Sequence, residues 1–419
     1  MDIPKAIRTI VIGGSDMNVF SKAYCRLAQL VVNKTILPLL GIKPPKTIEG
    51  EGAIKEVAKY LKEKHFYRPF IVVSKSVSLS LPFKTLMETL EEEKYHPIIF
   101  SDVVPNPTFS CVLAAKMALM KGNCDSIIAF GGGSVIDAAK VTGALVANRT
   151  NKIEKLKGVL KVRKRYPMLI AIPTTAGTGS ETTIAAVVVN EKTKDKFSIS
   201  DPHLIPNLAV LDPDVLKTLP PKIISSTGMD ALTHAVEAYI GHAKTRKTRS
   251  WSVQASRIIL ENLESFYADP SNASAREEML KASYLAGAAF TRSYVGYVHA
   301  LAHAIGGYYN VPHGLANAII LPKVLRHYGK SVYKPLARLS DANNLLPYSA
   351  SPSAKAEAYI AHIEKMNEKM GIGTSFHGIL KEEDLDALSK HAAKEANPLY
   401  PVPKEFSKKE LKEILKELL

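Results

Sequence analysis

Between residues 69 and 212, short apolar runs alternate with stretches of helical period. RPFIVVSKS, HPIIFSDVV, CDSIIAFGGGS, PMLIAIPTT and PNLAVLDPD each hold a near-continuous apolar core bounded by turn formers. SVSLSLPFKTLMETLEEEK and TFSCVLAAKMALMKG, which lie between them, carry apolar residues at helical spacing. Strands that read apolar on both faces, separated by helices, predict βαβ units around a buried parallel sheet. TTIAAVVVNEKTKDKFSISD departs from this: it reads as two strands joined by a polar turn, a β-hairpin appended to the sheet.

Past Pro220 and Pro221 the texture changes. IISSTGMDALTHAVEAYIG, TRSWSVQASRIILENLESFYAD, AREEMLKASYLAGAAFTRSY and SKKELKEILKELL all read as helices. Ser407, with Glu410 three residues on, gives the last one a capping-box start. The predicted organisation is an α/β domain over 1–220 and an all-α domain over 221–419. Residues 1–45 form an N-terminal extension ahead of the first clear βα unit. There AIRTIVIGG has the pattern of a strand and NVFSKAYCRLAQLVVNKTILPLL that of an amphipathic helix. The extension either packs on the core or makes a dimer contact, since an unpaired strand seeks a partner edge. The expected state is a homodimer or higher homo-oligomer. No internal repeat shows at periods of about 20 to 50 residues.

Composition narrows the class. A chain of 419 residues holds two domains of about 150 residues or more. Apolar residues at 46% and charged residues at 23% are those of a soluble globular protein. No apolar run reaches the ~18 residues of a membrane span. The first residues carry Asp2 and Asp16 and only a short apolar patch, which predicts neither a signal nor a transit peptide and a cytoplasmic protein. Cys25, Cys111 and Cys124 show no paired spacing, as suits a reducing compartment. The formal net charge of +15 comes from lysines dispersed along the chain and mixed with acids, which reads as solvated helix faces rather than a nucleic-acid arm. Such a surface attracts anionic cofactors and substrates.

Candidate chemistry lies in three places. The run IIAF leads into Gly131, Gly132, Gly133 and Ser134, then a helical stretch containing Asp137 and Lys140. A strand ending in glycines at a helix N-terminus exposes backbone N–H groups to a pyrophosphate, and the helix dipole favours its charge. A second loop, Pro173 to Glu181, follows another apolar strand with the hydroxyls of Thr174, Thr175 and Thr178. Ligands of open α/β sheets bind at such carboxyl ends. The third place is the helical half. Asp230 and His234 sit four residues apart on one helix face, and His299, His303 and His313 follow. One carboxylate with three imidazoles suits Fe²⁺ or Zn²⁺ and is poor for Ca²⁺. Spacing leaves open whether His299 or His303 is the third ligand.

GGGSVIDAAK, PTTAGTGSE, GMDALTHAVEAY and HALAHAIGGYYNVPHG, in this order and spacing, resemble the signature blocks of the iron-containing (group III) alcohol dehydrogenases. The resemblance covers roughly residues 46–325 and, more loosely, the C-terminus. It implies an α/β dinucleotide-binding domain followed by a helical domain, a metal in the cleft between them, and hydride exchange between NAD or NADP and a small primary alcohol or aldehyde. It assigns Asp230, His234, His299 and His313 as ligands of Fe²⁺, with Zn²⁺ as the other candidate. His303 becomes the non-ligand histidine near the nicotinamide, expected to relay a proton to solvent. Asn106, Gly132, Gly133, Ser134, Thr174, Thr175 and Lys196 match cofactor-contacting positions; Asp137 and Thr178 are counted with them. Phe290 corresponds to a residue lining the substrate pocket.

Three departures from the family pattern matter. Where NAD-preferring relatives carry an Asp after the first Rossmann strand, this chain reads Val73, Ser74, Lys75, Ser76, which tips the expected cofactor towards NADP through Lys75. Arg292 and Tyr294 replace small or neutral residues just before His299, and would narrow the pocket or favour an anionic aldehyde. The tail reads ANPLYPVP in place of the more usual Asn-Pro-Arg. The competing reading is a dehydroquinate synthase-like, metal- and NAD-dependent lyase, but no Lys/Arg cluster for a phosphate-rich substrate lies beside His299 or His313.

Overall fold

A computed structural model describes residues 19–32, 35, 40–193 and 196–419. The strand expected in AIRTIVIGG lies outside these residues. The described chain forms two compact units, neither continuous in sequence. One comprises 43–220 with 269–291; the other comprises the described part of 1–42 with 221–268 and 292–419.

The first unit is built on a six-stranded parallel sheet. Its strands are β1 (Lys46–Glu49), β2 (Pro69–Val73), β3 (Ile98–Phe100), β4 (Ser126–Gly131), β6 (Leu169–Pro173) and β9 (Leu208–Leu211), in the order β1-β9-β6-β4-β2-β3. All residues of β2, β4, β6 and β9 are buried, which is why they read as unbroken apolar runs. Helices α2 (Glu56–Glu63), α3 (Leu81–Glu92), α4 (Phe109–Lys121) and α5 (Gly133–Ala147) make crossovers. The chain steps outward from β2 to β3 and then returns to β4 on the other side of β2. This reversal opens a crevice at the carboxyl ends of β2 and β4, where such sheets bind ligands.

The expected hairpin forms as β7 (Ala185–Val189) antiparallel to β8 (Lys196–Ser200). It does not extend the main sheet; with β5 (Gly158–Val159) it makes a separate three-stranded sheet. β1 itself, KTIE, is short and mostly polar and carries no strand pattern of its own; pairing with β9 makes it a strand.

A helix from the second half of the sequence belongs largely to this unit. α8 (Ala273–Ser293) closes on the loop after β6 through two glycines. A Cβ on Gly179, whose φ is +59°, would come within 2.6 Å of the Gly287 Cα. Arg276 also donates to the Pro213 carbonyl at 3.0 Å, and Tyr284 to the Pro45 carbonyl at 2.9 Å.

The other unit is helical: α1 (Val19–Val31), α6 (Pro221–Ile240), α7 (Arg246–Ala268), α9 (Tyr297–Tyr309), α10 (His313–Tyr328), α11 (Lys330–Ala342), α12 (Pro352–Lys369), α13 (Leu385–Ala396) and α14 (Lys408–Lys416). The capping box expected at Ser407 and Glu410 is formed in both directions. Among the described residues, no helix is long and apolar enough to cross a membrane.

Candidate metal centre and dinucleotide loop

Helix α6 sets Asp230 and His234 one turn apart on a single face, both buried. α9 presents His299 in its first turn, and α10 begins with His313. One donor atom from each of these four residues lies within 4.8 Å of all the others. Asp230 Oδ1 is 3.9 Å from His299 Nε2 and 3.6 Å from His313 Nε2. Separations of that size are what bonds of about 2.0–2.2 Å to one divalent ion require. The approach of α10 to α6 depends on Gly314, where a Cβ would fall 2.3 Å from the Ser226 carbonyl oxygen.

Two residues not singled out from the sequence support the cluster. Glu237 accepts from His299 Nδ1 at 2.6 Å, and from the backbone N–H groups of Gly296 and Val298 at 2.8 and 2.9 Å. It therefore caps α9 and fixes the His299 ring with Nε2 as the free donor atom. Burial pushes the Glu237 carboxyl up to about 7, against the opposing pull of the backbone N–H groups of Gly296, Val298 and His299. Burial, then His234, His313 and His303, hold the His299 imidazole well below its ordinary value, so the ring is neutral and its lone pair available. Asn317, one turn after His313, donates its amide to Asp230 Oδ1 at 2.7 Å and lies 3.2 Å from both His299 Nε2 and His313 Nε2.

Both supports carried a sequence signal in their spacing. Glu237 is three residues after His234 and Asn317 four after His313, each on the ligand-bearing face. Three acceptors thus converge on one positively polarised group, and the donor set of one carboxylate and three imidazoles fits Fe²⁺ or Zn²⁺. His303 lies one turn beyond His299 but outside the cluster, stacked on His313 with ring centroids 5.1 Å apart. Its Nδ1 is directed instead at Glu395, 2.6 Å away.

In the α/β unit, β4 ends at Gly131 and α5 starts at Gly133, with Gly132 as an N-cap that has no side-chain bond. The loop after β6 lies directly alongside. Thr174 N–H donates to the Gly131 carbonyl at 3.1 Å. A Cβ on Gly132 would meet Thr175 at 3.3 Å, and one on Gly133 would meet Thr178 at 3.0 Å. A side chain at either glycine would thus crowd the neighbouring loop, and the bare backbone at this helix N-terminus is what a pyrophosphate needs. Asn106, with φ of +54°, places its N–H 3.3 Å from Ser134 Oγ.

Asp137 differs from its expected part in cofactor contact. Its carboxylate points into the fold, accepting from Ser180 Oγ at 2.7 Å and from Val187 N–H at 2.9 Å. Lys140 beneath it donates to Ser180, Thr183 and Ala185. Together they brace the loop that carries Thr174, Thr175 and Thr178. Lys75 is exposed in the turn after β2, where Ser78 Oγ donates to its carbonyl. Ser74 bridges Asp102 at the end of the neighbouring strand. Lys196 is exposed at the start of β8. Phe290 and Arg292 are half-buried near the end of α8. Tyr294 is half-buried too, with φ of +61°, a left-handed backbone that glycine adopts most readily.

Over residues 44–213 the sequence matches the family described as iron-containing alcohol dehydrogenase, and over 224–419 the C-terminal region of the Fe-containing alcohol dehydrogenase family. Alcohol dehydrogenase 4 of Saccharomyces cerevisiae is 35% identical over 375 residues, covering 89% of this chain and 97% of that protein. The NAD-dependent methanol dehydrogenase of Bacillus methanolicus is 33% identical over 350 residues, covering 83% and 92%. The solved alcohol dehydrogenase from Oenococcus oeni superposes with a TM-score of 0.87 at 32% identity, covering 90% of this chain and 99% of that one.

Proposed function

The chain belongs to the iron-containing alcohol dehydrogenase family and catalyses hydride exchange between a nicotinamide dinucleotide and alcohols or aldehydes; from that premise we propose that Asp230, His234, His299 and His313 hold its iron. The observation that carries this reading is the convergence of their four donor atoms within 4.8 Å. The same donor set also accepts Zn²⁺.

Bound there, a divalent ion supplies Lewis acidity towards an alcohol or carbonyl oxygen, and the dinucleotide supplies or takes up hydride. The chain's own residues do the rest. Asp230 gives the ligand set its single negative charge, so the site stays cationic. Glu237 orients His299 through Nδ1, burial and the neighbouring histidines keep that ring neutral, and Asn317 holds Asp230. His303, whose Nδ1 is engaged by Glu395, keeps Nε2 for moving the proton between substrate and water. The Gly131–Gly133 turn, Ser134, Asn106, Thr174, Thr175 and Thr178 bind the dinucleotide phosphates, and Lys196 is a further cofactor contact. Phe290, Arg292 and Tyr294 shape the pocket for a small primary alcohol or aldehyde.

At the adenosine end, Ser74, Lys75 and Ser76 offer a cation and hydroxyls and no carboxylate, which favours NADP(H) alongside NAD(H). A homodimeric, cytoplasmic enzyme completes the proposal.

The test is anaerobic reduction of a panel of small aldehydes by the Fe²⁺-loaded protein, following NADPH and NADH absorbance in parallel. Iron-dependent oxidation of either cofactor is expected, with NADPH at least as fast as NADH. A preference for NADH in both affinity and kcat/KM removes the role given to Lys75. Iron that binds equally well after His299→Ala and His313→Ala removes the proposed ligand set.

A further inference from the structure

His303 is held quite differently from the metal-site histidines. Its Nδ1 lies 2.6 Å from Oε1 of Glu395, near the end of α13. The same oxygen accepts the Tyr400 hydroxyl at 2.8 Å. Oε1 accepts from both Nδ1 and the Tyr400 hydroxyl, so in the neutral ring Nδ1 carries the proton and Nε2 is the basic nitrogen.

Tyr400 is firmly placed despite lying in a loop. Gln29 Nε2 of α1 donates to its carbonyl at 2.8 Å. Arg26 donates to the carbonyls of Val402 and Pro403 at 2.8 Å each, and pairs with Glu405 at 2.7 Å. From the other side, His242 N–H donates to the Pro401 carbonyl at 2.6 Å, and Tyr297 bonds Asn397 at 2.6 Å. The segment in which the tail departs from the family's Asn-Pro-Arg is thus bolted down by α1 and by the end of α6, and the residue it contributes is Tyr400.

We propose that Glu395, steadied by Tyr400, is a positioning residue for His303, fixing the ring and its tautomer so that Nε2 is the nitrogen that exchanges the proton. The proposal rests on the reading of His303 as the proton relay. The step it positions is a proton transfer only: the alcohol O–H bond breaks, an N–H bond forms at Nε2, and water then takes that proton from the ring. The arrangement follows the general pattern of a carboxylate orienting a working imidazole from its far nitrogen.

The experiment compares iron-loaded wild type with Glu395→Ala, Glu395→Gln, Tyr400→Phe, His303→Ala and the His303→Ala/Glu395→Ala pair, measuring kcat, KM for dinucleotide and bound iron at one pH. Glu395→Ala is expected to lower kcat by about 10–100-fold, the usual cost of removing an orienting partner, with iron content and KM unchanged. Glu395→Gln, whose amide oxygen still accepts from Nδ1, should lose less, and Tyr400→Phe less again. In the His303→Ala background, Glu395→Ala should change nothing further, because the residue it orients is gone. Wild-type kcat in Glu395→Ala, or an equal loss repeated in the His303→Ala background, overturns the proposal. If Glu395→Ala does not fold, wild-type kcat in both Glu395→Gln and Tyr400→Phe overturns it. Wild-type turnover in His303→Ala would sink the relay reading and this proposal with it, whereas a slow His303→Ala beside a normal Glu395→Ala would sink this proposal alone.

Discussion

The proposed metal centre and the proposed dinucleotide loop are made of different material. The metal end is a set of side chains: four donors on α6, α9 and α10, with Glu237 backing His299 and Asn317 set against Asp230, His299 and His313. The dinucleotide end is mostly backbone, a glycine turn between β4 and α5 kept open by what its residues lack. A side-chain site fails when an atom is removed. A backbone cradle fails when one is added.

Removal at the metal end should therefore have the largest effect. His299→Ala or His313→Ala is expected to abolish iron retention and cut turnover by about 10³-fold or more, since several kcal/mol of charge stabilisation disappear. Metal analysis beside steady-state rates checks this, and His303→Ala should retain iron while slowing turnover. Next, Glu237→Gln keeps the shape of the support but weakens its grip on His299. Iron affinity should fall by about 10–100-fold, read by competition with a chelator; unchanged affinity would mean that the ligands orient themselves without help.

Addition at the cradle should do less and do it elsewhere. Gly133→Ala puts a Cβ 3.0 Å from Thr178, and overpacking of that kind costs about 1–3 kcal/mol. KM for the dinucleotide should rise by about tenfold, with iron content unchanged. An equal loss of iron would erase the distinction between the two ends.

The smallest effect concerns stability. Beneath the cradle, burial raises the Glu181 carboxyl to about 7, opposed by its own backbone N–H and by Lys140. Its folded value lies above its unfolded one of about 4.5. Between those two values the folded protein keeps a proton that the unfolded chain has released, so Glu181 makes stability fall as pH rises through that window. Glu181→Gln should flatten this part of a Tm-against-pH profile; an unaltered slope would assign it to other groups.

Much of this was legible in the residues themselves. Strands buried on both faces cannot hide their apolar runs, so β2, β4, β6 and β9 showed themselves, while β1, mostly polar, became a strand only by pairing with β9. Asp230 and His234 declared a shared face through a four-residue spacing, because helix geometry converts spacing into direction. By the same rule Glu237 and Asn317 were within reach of the sequence, at three and four residues from His234 and His313.

Periodicity cannot carry information between elements far apart in the chain. His299 and His303 sit a turn apart on one helix, and which of them faces Asp230 was settled by the packing of α6, α9 and α10. Asp137 looked like part of a phosphate loop, until the fold set Ser180 and Val187 against its carboxylate. Glu395 is 92 residues from the histidine it holds. The elements, the donor types and the helix faces follow from neighbours a few bonds away and are written in the order of residues. Which donors meet depends on the packed fold, because burying each apolar face fixes the distances between segments that share no local signal.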